Sequence, residues 1–182
     1  MTSRTHDLAA FTALNLVVIY HGVPQISLAT ALASIGMCFL GGLAPDLDNS
    51  TSDFWKKIPA GSILGKLVDP LFVHRHVSHS ILGAVLFGLV LKYILGGTTV
   101  VWFAFMIGLL SHLIMDTLTT EGVPWLFPLP FHIGFPPYRE YRVKTGRFVE
   151  KLVIFPLLLI VNAYLFLNFY PLYLALLKSL IK

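Results

Sequence analysis

Charge is what this 182-residue chain has least of: 12% of its residues are Asp, Glu, Lys or Arg, against 56% hydrophobic, and its mean hydropathy is +0.78. A soluble domain carries about a quarter charged residues, so an ordinary soluble fold is excluded and an integral membrane protein is expected. Cysteine is nearly absent as well. Cys38 stands alone in an apolar run, which rules out a disulfide framework and a cysteine-based zinc motif and leaves His and carboxylate as the ligands for any metal. No Ser-rich or charged linker and no internal repeat breaks the chain, so residues 1–182 are expected to form one membrane-embedded domain. The pattern of a cleavable signal peptide is missing too, because His6 and Asp7 interrupt the N-terminal region and the first apolar run leads into another. The net charge of +4 comes from basic residues scattered beside apolar segments, without a recognition-helix pattern. Nucleic acid is therefore not an expected partner, whereas membrane lipid is.

What the chain does have is apolar length. A helix needs about 20 mostly apolar residues to cross about 30 Å of hydrocarbon, and five stretches approach that: about 8–21, 26–43, 79–95, 98–118 and 152–170. The second is rich in Ala, Gly and Ser, small residues that let helices pack closely in lipid. Residues 172–181, beyond Pro171, are too few for a span and either extend the fifth helix past a kink or lie in the interface. Between the fourth and fifth stretches, residues 122–141 hold five prolines and many aromatics, among them Trp125, Phe127, Phe131, Phe135, Tyr138 and Tyr141. Proline blocks a long helix there and the rings favour the headgroup level, so this loop either roofs a site or anchors the chain. The fold expected is an all-α integral membrane protein, a bundle of about five transmembrane helices with an interfacial loop rich in proline and aromatic residues.

Short links at 21–25 and at Gly96-Gly97 make hairpins of the first two and the next two spans. The N-terminus, residues 44–78 and residues 119–151 must then share one face. That face carries ten of the thirteen lysines and arginines, which makes it cytoplasmic by the positive-inside rule. The chain is thus expected to be a multi-pass protein of the inner, cytoplasmic membrane with its N-terminus inside.

The same face receives every cluster of acidic and histidine residues, and together they read as one metal site. His112 and Asp116 lie four residues apart, on one face of a helix, inside an apolar span where ionisable groups are costly and mark function. A plain His–Asp hydrogen bond tightening the bundle is the alternative. In Gly41-Gly42-Leu43-Ala44-Pro45-Asp46-Leu47-Asp48 the glycines and Pro45 are expected to end the helix, and the two carboxylates that follow can bind one hard cation or bridge two. A solvated turn with Asp48 as a helix cap explains them equally well. The run His74-Arg75-His76-Val77-Ser78-His79-Ser80 packs three histidines into six residues; neutral imidazole is the commonest metal ligand. If a helix begins near Val77 or Ser78, His79 faces inward from its first turn, with His74 and His76 towards the edge, and Arg75 stays in the loop where it can grip a phosphate. The competing reading is a cationic interfacial segment capped by Ser78 or Ser80. His6 precedes the first helix and is the weakest candidate from position alone. Glu150, just before the fifth helix, is a further ligand, a base or a helix-start carboxylate.

Taken in order, Thr5-His6, Gly42 through Asp48, His74-Arg75 with Ser78-His79-Ser80, and Gly108 through His112, Asp116 and Thr117 to Gly122 and Pro128 resemble the bacterial and archaeal membrane-bound metal-dependent hydrolase family typified by YdjM and YbcI. The resemblance covers roughly residues 5–150. It implies that His6, Asp46, Asp48, His79, His112 and Asp116 bind metal, with Arg75 and Glu150 at the substrate. His76 departs from the small residue that often follows the arginine. The activity expected is hydrolysis of a lipid phosphoester or another membrane-associated, lipid-linked ester. One or two divalent ions (Zn, Mn, Fe or Mg) would activate water and polarise the phosphoryl oxygen. The other class is a non-catalytic metal-binding membrane protein: a small transporter, or a sensor or scaffold stapled by the ion. Against transport, the ligands gather at one face rather than at the midplane, and no inverted repeat is visible.

Overall fold

The computed structural model describes residues 1–22, 25–48, 55, 77–95 and 98–181, without the side chains of Asp48 and Ile181. Among these residues are six α-helices: α1 (Ser3–His21), α2 (Leu28–Leu43), α3 (Ile81–Leu95), α4 (Thr99–Thr117), α5 (Phe155–Asn168) and α6 (Tyr170–Ile181). A 3-10 turn, Ala44–Asp48, continues α2, and a π-helical turn, Glu150–Ile154, leads into α5. Extended pairing among the described residues is limited to two isolated bridges. Three helical segments, Leu28–Leu47, Thr99–Thr117 and Glu150–Asn168, are long and apolar enough to cross a membrane, and α3 is apolar but shorter.

Glycine sets the centre of the packing. A Cβ on Gly41 would lie 2.0 Å from the Phe105 carbonyl oxygen, and one on Gly108 would lie 1.9 Å from that of Cys38. Backbones of α2 and α4 therefore touch directly, the approach that small residues permit in lipid. For this reason Gly41 and Gly42 do not end α2 as their composition suggested. They lie inside it, and the helix runs on to Leu43. Around this contact Ala44, Ala84, Phe105, Leu109, Leu113 and Val123 form the larger buried cluster.

Two helix starts differ from the sequence expectation, and both matter for the site. α1 begins at Ser3, where the Thr2 carbonyl accepts from the amides of Thr5 and His6 at 3.0 and 3.1 Å. His6 is thus inside the helix rather than ahead of it. α3 begins at Ile81, because Ser80 Oγ accepts from the Gly83 amide at 3.1 Å and stands as its cap. His79 accordingly sits in the turn before the helix. At the other end of the chain, α5 stops at Asn168, Phe169 leaves helical geometry, and α6 starts as a separate helix with Pro171 in its first turn, where a missing amide hydrogen costs nothing.

The Pro/aromatic loop is tied down at several points. Val123 and Ile133 exchange both amide hydrogen bonds at 2.8 and 2.9 Å, and the Thr120 amide donates to the Val143 carbonyl at 3.0 Å. Trp125 Nε1 donates to Thr117 Oγ1 at 2.8 Å while its carbonyl accepts from the Ile81 amide at 3.0 Å. One residue thus joins the loop to the end of α4 and the start of α3. Arg142 is spent within the loop, its guanidinium donating to the carbonyls of Pro136 and Pro137 at 2.7 and 2.9 Å. Arg139 donates to Glu121 and the Thr120 carbonyl. Lys144, Arg147 and Lys151 lie exposed beyond it.

Candidate metal centre

Five of the predicted ligands come together from four separate parts of the chain. α1 supplies His6, the turn after α2 supplies Asp46, the turn before α3 supplies His79, and α4 supplies His112 and Asp116. Asp116 is the hub. Its Oδ1 lies 3.1 Å from His6 Nε2, its Oδ2 lies 3.3 Å from His112 Nε2 and 3.9 Å from His79 Nε2, and the α-amino group of Met1 donates to Oδ1. Asp46 Oδ1 lies 3.9 Å from His79 Nε2 and 4.0 Å from His112 Nε2. The last three His–Asp distances are too long for direct hydrogen bonds. They are within reach of a shared ion, since ligands at 2.0–2.2 Å from zinc lie no more than about 4.4 Å apart.

The rings are oriented rather than merely near. His6 stacks on His112 with centroids 3.8 Å apart and planes at 9°, and His79 meets His112 edge-on at 5.4 Å. His112 Nδ1 bonds the Gly42 carbonyl at 2.6 Å, a contact that requires the proton on Nδ1 and points Nε2 into the cluster, where a neutral ring would offer its lone pair to an ion. This backbone acceptor behind a histidine is the usual outer partner of a metal ligand. His112 Nε2 is itself buried without a hydrogen-bond partner, as is His6 Nδ1. A buried imidazole nitrogen that faces two carboxylates without a well-formed hydrogen bond fits a cation. Behind His79, Ser78 Oγ lies 3.1 Å from Nδ1.

Among the described residues, two groups of ligand atoms, each within 4.8 Å, could hold a metal ion: His6, His112 and Asp116, and Asp46, His79 and His112. His6 and His112 are 2% and 1% exposed, whereas the side chains of Asp116, His79 and Asp46 are 17%, 18% and 33% exposed. The centre thus has a buried floor of imidazoles and a wall that opens at Asp46.

Three further predicted site residues are Arg75, Asp48 and Glu150. Arg75, with His74 and His76, lies outside the described residues, as does the side chain of Asp48. Glu150 is not in either ligand group. Buried to 1%, its Oε1 accepts from the Thr2 amide and from the hydroxyls of Thr2 and Thr5, each at 2.7 Å, and its Oε2 accepts from the Gly146 amide at 2.6 Å. Four donors on one carboxylate make it a clasp between the start of α1 and the start of the last apolar segment. The sequence reading missed Thr2, Ser78 and the Gly42 carbonyl as supports. The neighbours Thr5-His6 and Ser78-His79 were the available signals, since hydroxyls beside ligands are common orienting groups.

Residues 1–177 match the family described as YdjM inner membrane protein. The chain belongs to that family. It is therefore an inner membrane protein with several membrane-spanning helices. It is 32% identical over 171 residues to a Bacillus subtilis (strain 168) protein named "Uncharacterized protein YvsG", an alignment covering 93% of this chain and 98% of the relative. No solved structure matches.

Proposed function

We propose that this YdjM-family protein is a metal-dependent hydrolase at the cytoplasmic face of the membrane, acting on a phosphoester of a lipid or lipid-linked substrate. The observation that carries the reading is the sharing of His112 between two ligand groups, a donor set suited to one divalent ion or to two. When bound, such an ion (Zn, Mn, Fe or Mg) supplies a water of lowered pKa and a Lewis acid for a phosphoryl oxygen. His6 and His112 hold from the floor, and Asp116 bridges them. His79 and Asp46 form the open side that meets substrate. Any carboxylate left free of metal serves as the base, while Asp46, the most exposed of the ligands, borders the opening. Arg75 stabilises transition-state charge on the phosphoryl group, and Asp48 adds a ligand beside Asp46. Glu150 acts through position rather than at the substrate.

The same reading has α1 to α5 cross the bilayer as five spans of a single domain. The loop at residues 122–141 lies in the interface above the centre, and Lys144, Arg147 and Lys151 meet anionic headgroups. Metal analysis of detergent-purified protein tests the site: bound Zn, Mn or Fe falls in His79→Ala and Asp116→Ala, and unchanged content refutes it. Turnover of phospholipids and polyprenyl phosphates by the same variants tests the reaction.

A second reading, a metal staple without catalysis, is favoured by the way one cluster ties α1, the end of α2, the start of α3 and α4 together. It prevails if metal binds while no ester in a broad screen is cleaved.

A further inference from the structure

A cavity of about 840 Å³ opens among α1, α2, α4, α5 and α6, within the roughly 300–1,000 Å³ typical of ligand sites. The order of residues along each helix shows that it is separate from the metal centre. Its wall on α1 begins at Phe11, on α2 ends at Ile35, and on α4 ends at Ile107. Beyond the first two of those points, towards His6 and Gly42, come Ala10 and Cys38, which form a buried cluster with Ala104 of the cavity wall; Leu14 and Ile107 pack against it. That cluster and the Gly108–Cys38 backbone contact seal the cavity's inner end.

Three observations identify its occupant. The wall on α1 runs from Phe11 to Gly22, a rise of about 16 Å, which is half of the roughly 30 Å hydrocarbon thickness and so the depth of one leaflet. The lining is dominated by Val18, Ile35, Phe103, Phe166 and Leu176, and its interior polar groups are engaged with protein. Asn15 Nδ2 donates to Asn162 Oδ1 at 2.9 Å, Asn162 Nδ2 donates to Thr12 Oγ1 at 2.6 Å, and Ser34 Oγ donates to the Thr30 carbonyl at 2.8 Å. Water, which needs two to four polar partners, has little to bind there, while an unfilled wall forfeits dispersion contacts. Finally, Gln25 and Thr99 lie exposed at the hairpin end of the cavity, the level at which headgroups sit.

We propose that this cavity binds one acyl chain of a glycerophospholipid from the leaflet opposite the metal centre, chain inward and headgroup beside Gln25 and Thr99. The proposal rests on the five-span threading given above and not on the metal chemistry.

The test uses full-length protein in nanodiscs of phosphatidylcholine and phosphatidylglycerol, doped with a phospholipid bearing a diazirine near its acyl end. After irradiation, crosslinks are expected to concentrate on cavity-facing positions such as Leu14, Val18, Phe103 and Ile107. Ala31→Phe and Val18→Trp, which fill the space, should each lower that labelling about tenfold, equivalent to about 1.4 kcal/mol of binding, without changing labelling at outward Leu89 and Ile160. Retained thermal melting and metal content certify each variant as folded; should neither fold, the wild-type labelling pattern decides alone. Labelling spread evenly over outward-facing residues, or unchanged by a folded filler, overturns the proposal. A protein that binds no metal but labels in the cavity upholds it and overturns the hydrolase reading.

Discussion

His112 Nδ1 lies 2.6 Å from the carbonyl oxygen of Gly42, and this one bond turns Nε2 towards Asp116 and Asp46. It is possible because α2 and α4 meet through glycine, so a backbone carbonyl of one helix reaches an imidazole of the other. Helix packing and ligand orientation are here the same contact.

His112 belongs to both ligand groups and His6 to one. Removing His112 is therefore expected to abolish metal binding, whereas His6→Ala leaves the Asp46, His79 and His112 group and retains part of it. Elemental analysis of the purified variants gives the ratio directly. Equal losses in the two variants would mean that the five residues form one indivisible site.

Gly108→Ala places a Cβ 1.9 Å from the Cys38 carbonyl oxygen, and a backbone atom cannot rotate away. Separation of α2 from α4 should cost about 1–3 kcal/mol or more. A lower melting temperature in detergent and reduced metal content are expected together, because Gly42 and His112 part. Gly36→Ala, at a position with nothing within 4 Å, is the matched control and should change neither.

Glu150→Gln keeps the size of the side chain but puts an NH2 group among donors. At least one of the Thr2, Thr5 and Gly146 donors then loses its acceptor, at a cost of about 1–3 kcal/mol. Because the clasp holds the segment that carries His6, metal affinity should fall by about 10–100-fold, the usual loss when an outer partner is removed. Titration calorimetry reads the affinity, and a melt reads the stability. Intact affinity with lowered stability would leave Glu150 a structural clasp only.

Trp125→Phe keeps the ring but deletes the donor to Thr117 Oγ1. A loss of about 1 kcal/mol is expected, along with faster hydrogen exchange at the Val123 and Ile133 amides, which pair across the loop. Exchange unchanged at those amides would show that the backbone bonds alone hold the loop.

The Asn162 amide joins α5 to Thr12 and Asn15 of α1. Polar pairs in lipid average about 0.6 kcal/mol and reach about 1.7, so Asn162→Leu should lower stability by about that much in a denaturant titration. Metal content should stay as it is, since Asn15 and Asn162 line the cavity and belong to neither ligand group.

Much of this was legible in one dimension, for reasons that particular residues make plain. Hydropathy marks α2, α4 and α5 because a membrane span must be apolar over its whole length, whatever it packs against. The four-residue spacing of His112 and Asp116 places both on one side of α4 from helix geometry alone. Pro171 announced a break, though only the structure shows a new helix starting at Tyr170. Cap positions were harder: His6 was read as preceding its helix and His79 as inside one, and each sits on the other side of the boundary. Local bonds of Thr2 and Ser80 decide those starts, and several neighbouring residues compete for the same role.

By itself, then, the sequence determined that the chain belongs in a membrane, where its apolar segments run, and which residue types are available to a metal, since these follow from composition and spacing. Tertiary structure alone decided which of them meet. Asp46 reaches His79 and His112, Glu150 turns instead to Thr2 and Thr5, and the Gly42 carbonyl selects the tautomer of His112. The last of these depends on how closely the backbones of α2 and α4 approach, a distance set by Gly41 and Gly108 against the carbonyls of Phe105 and Cys38.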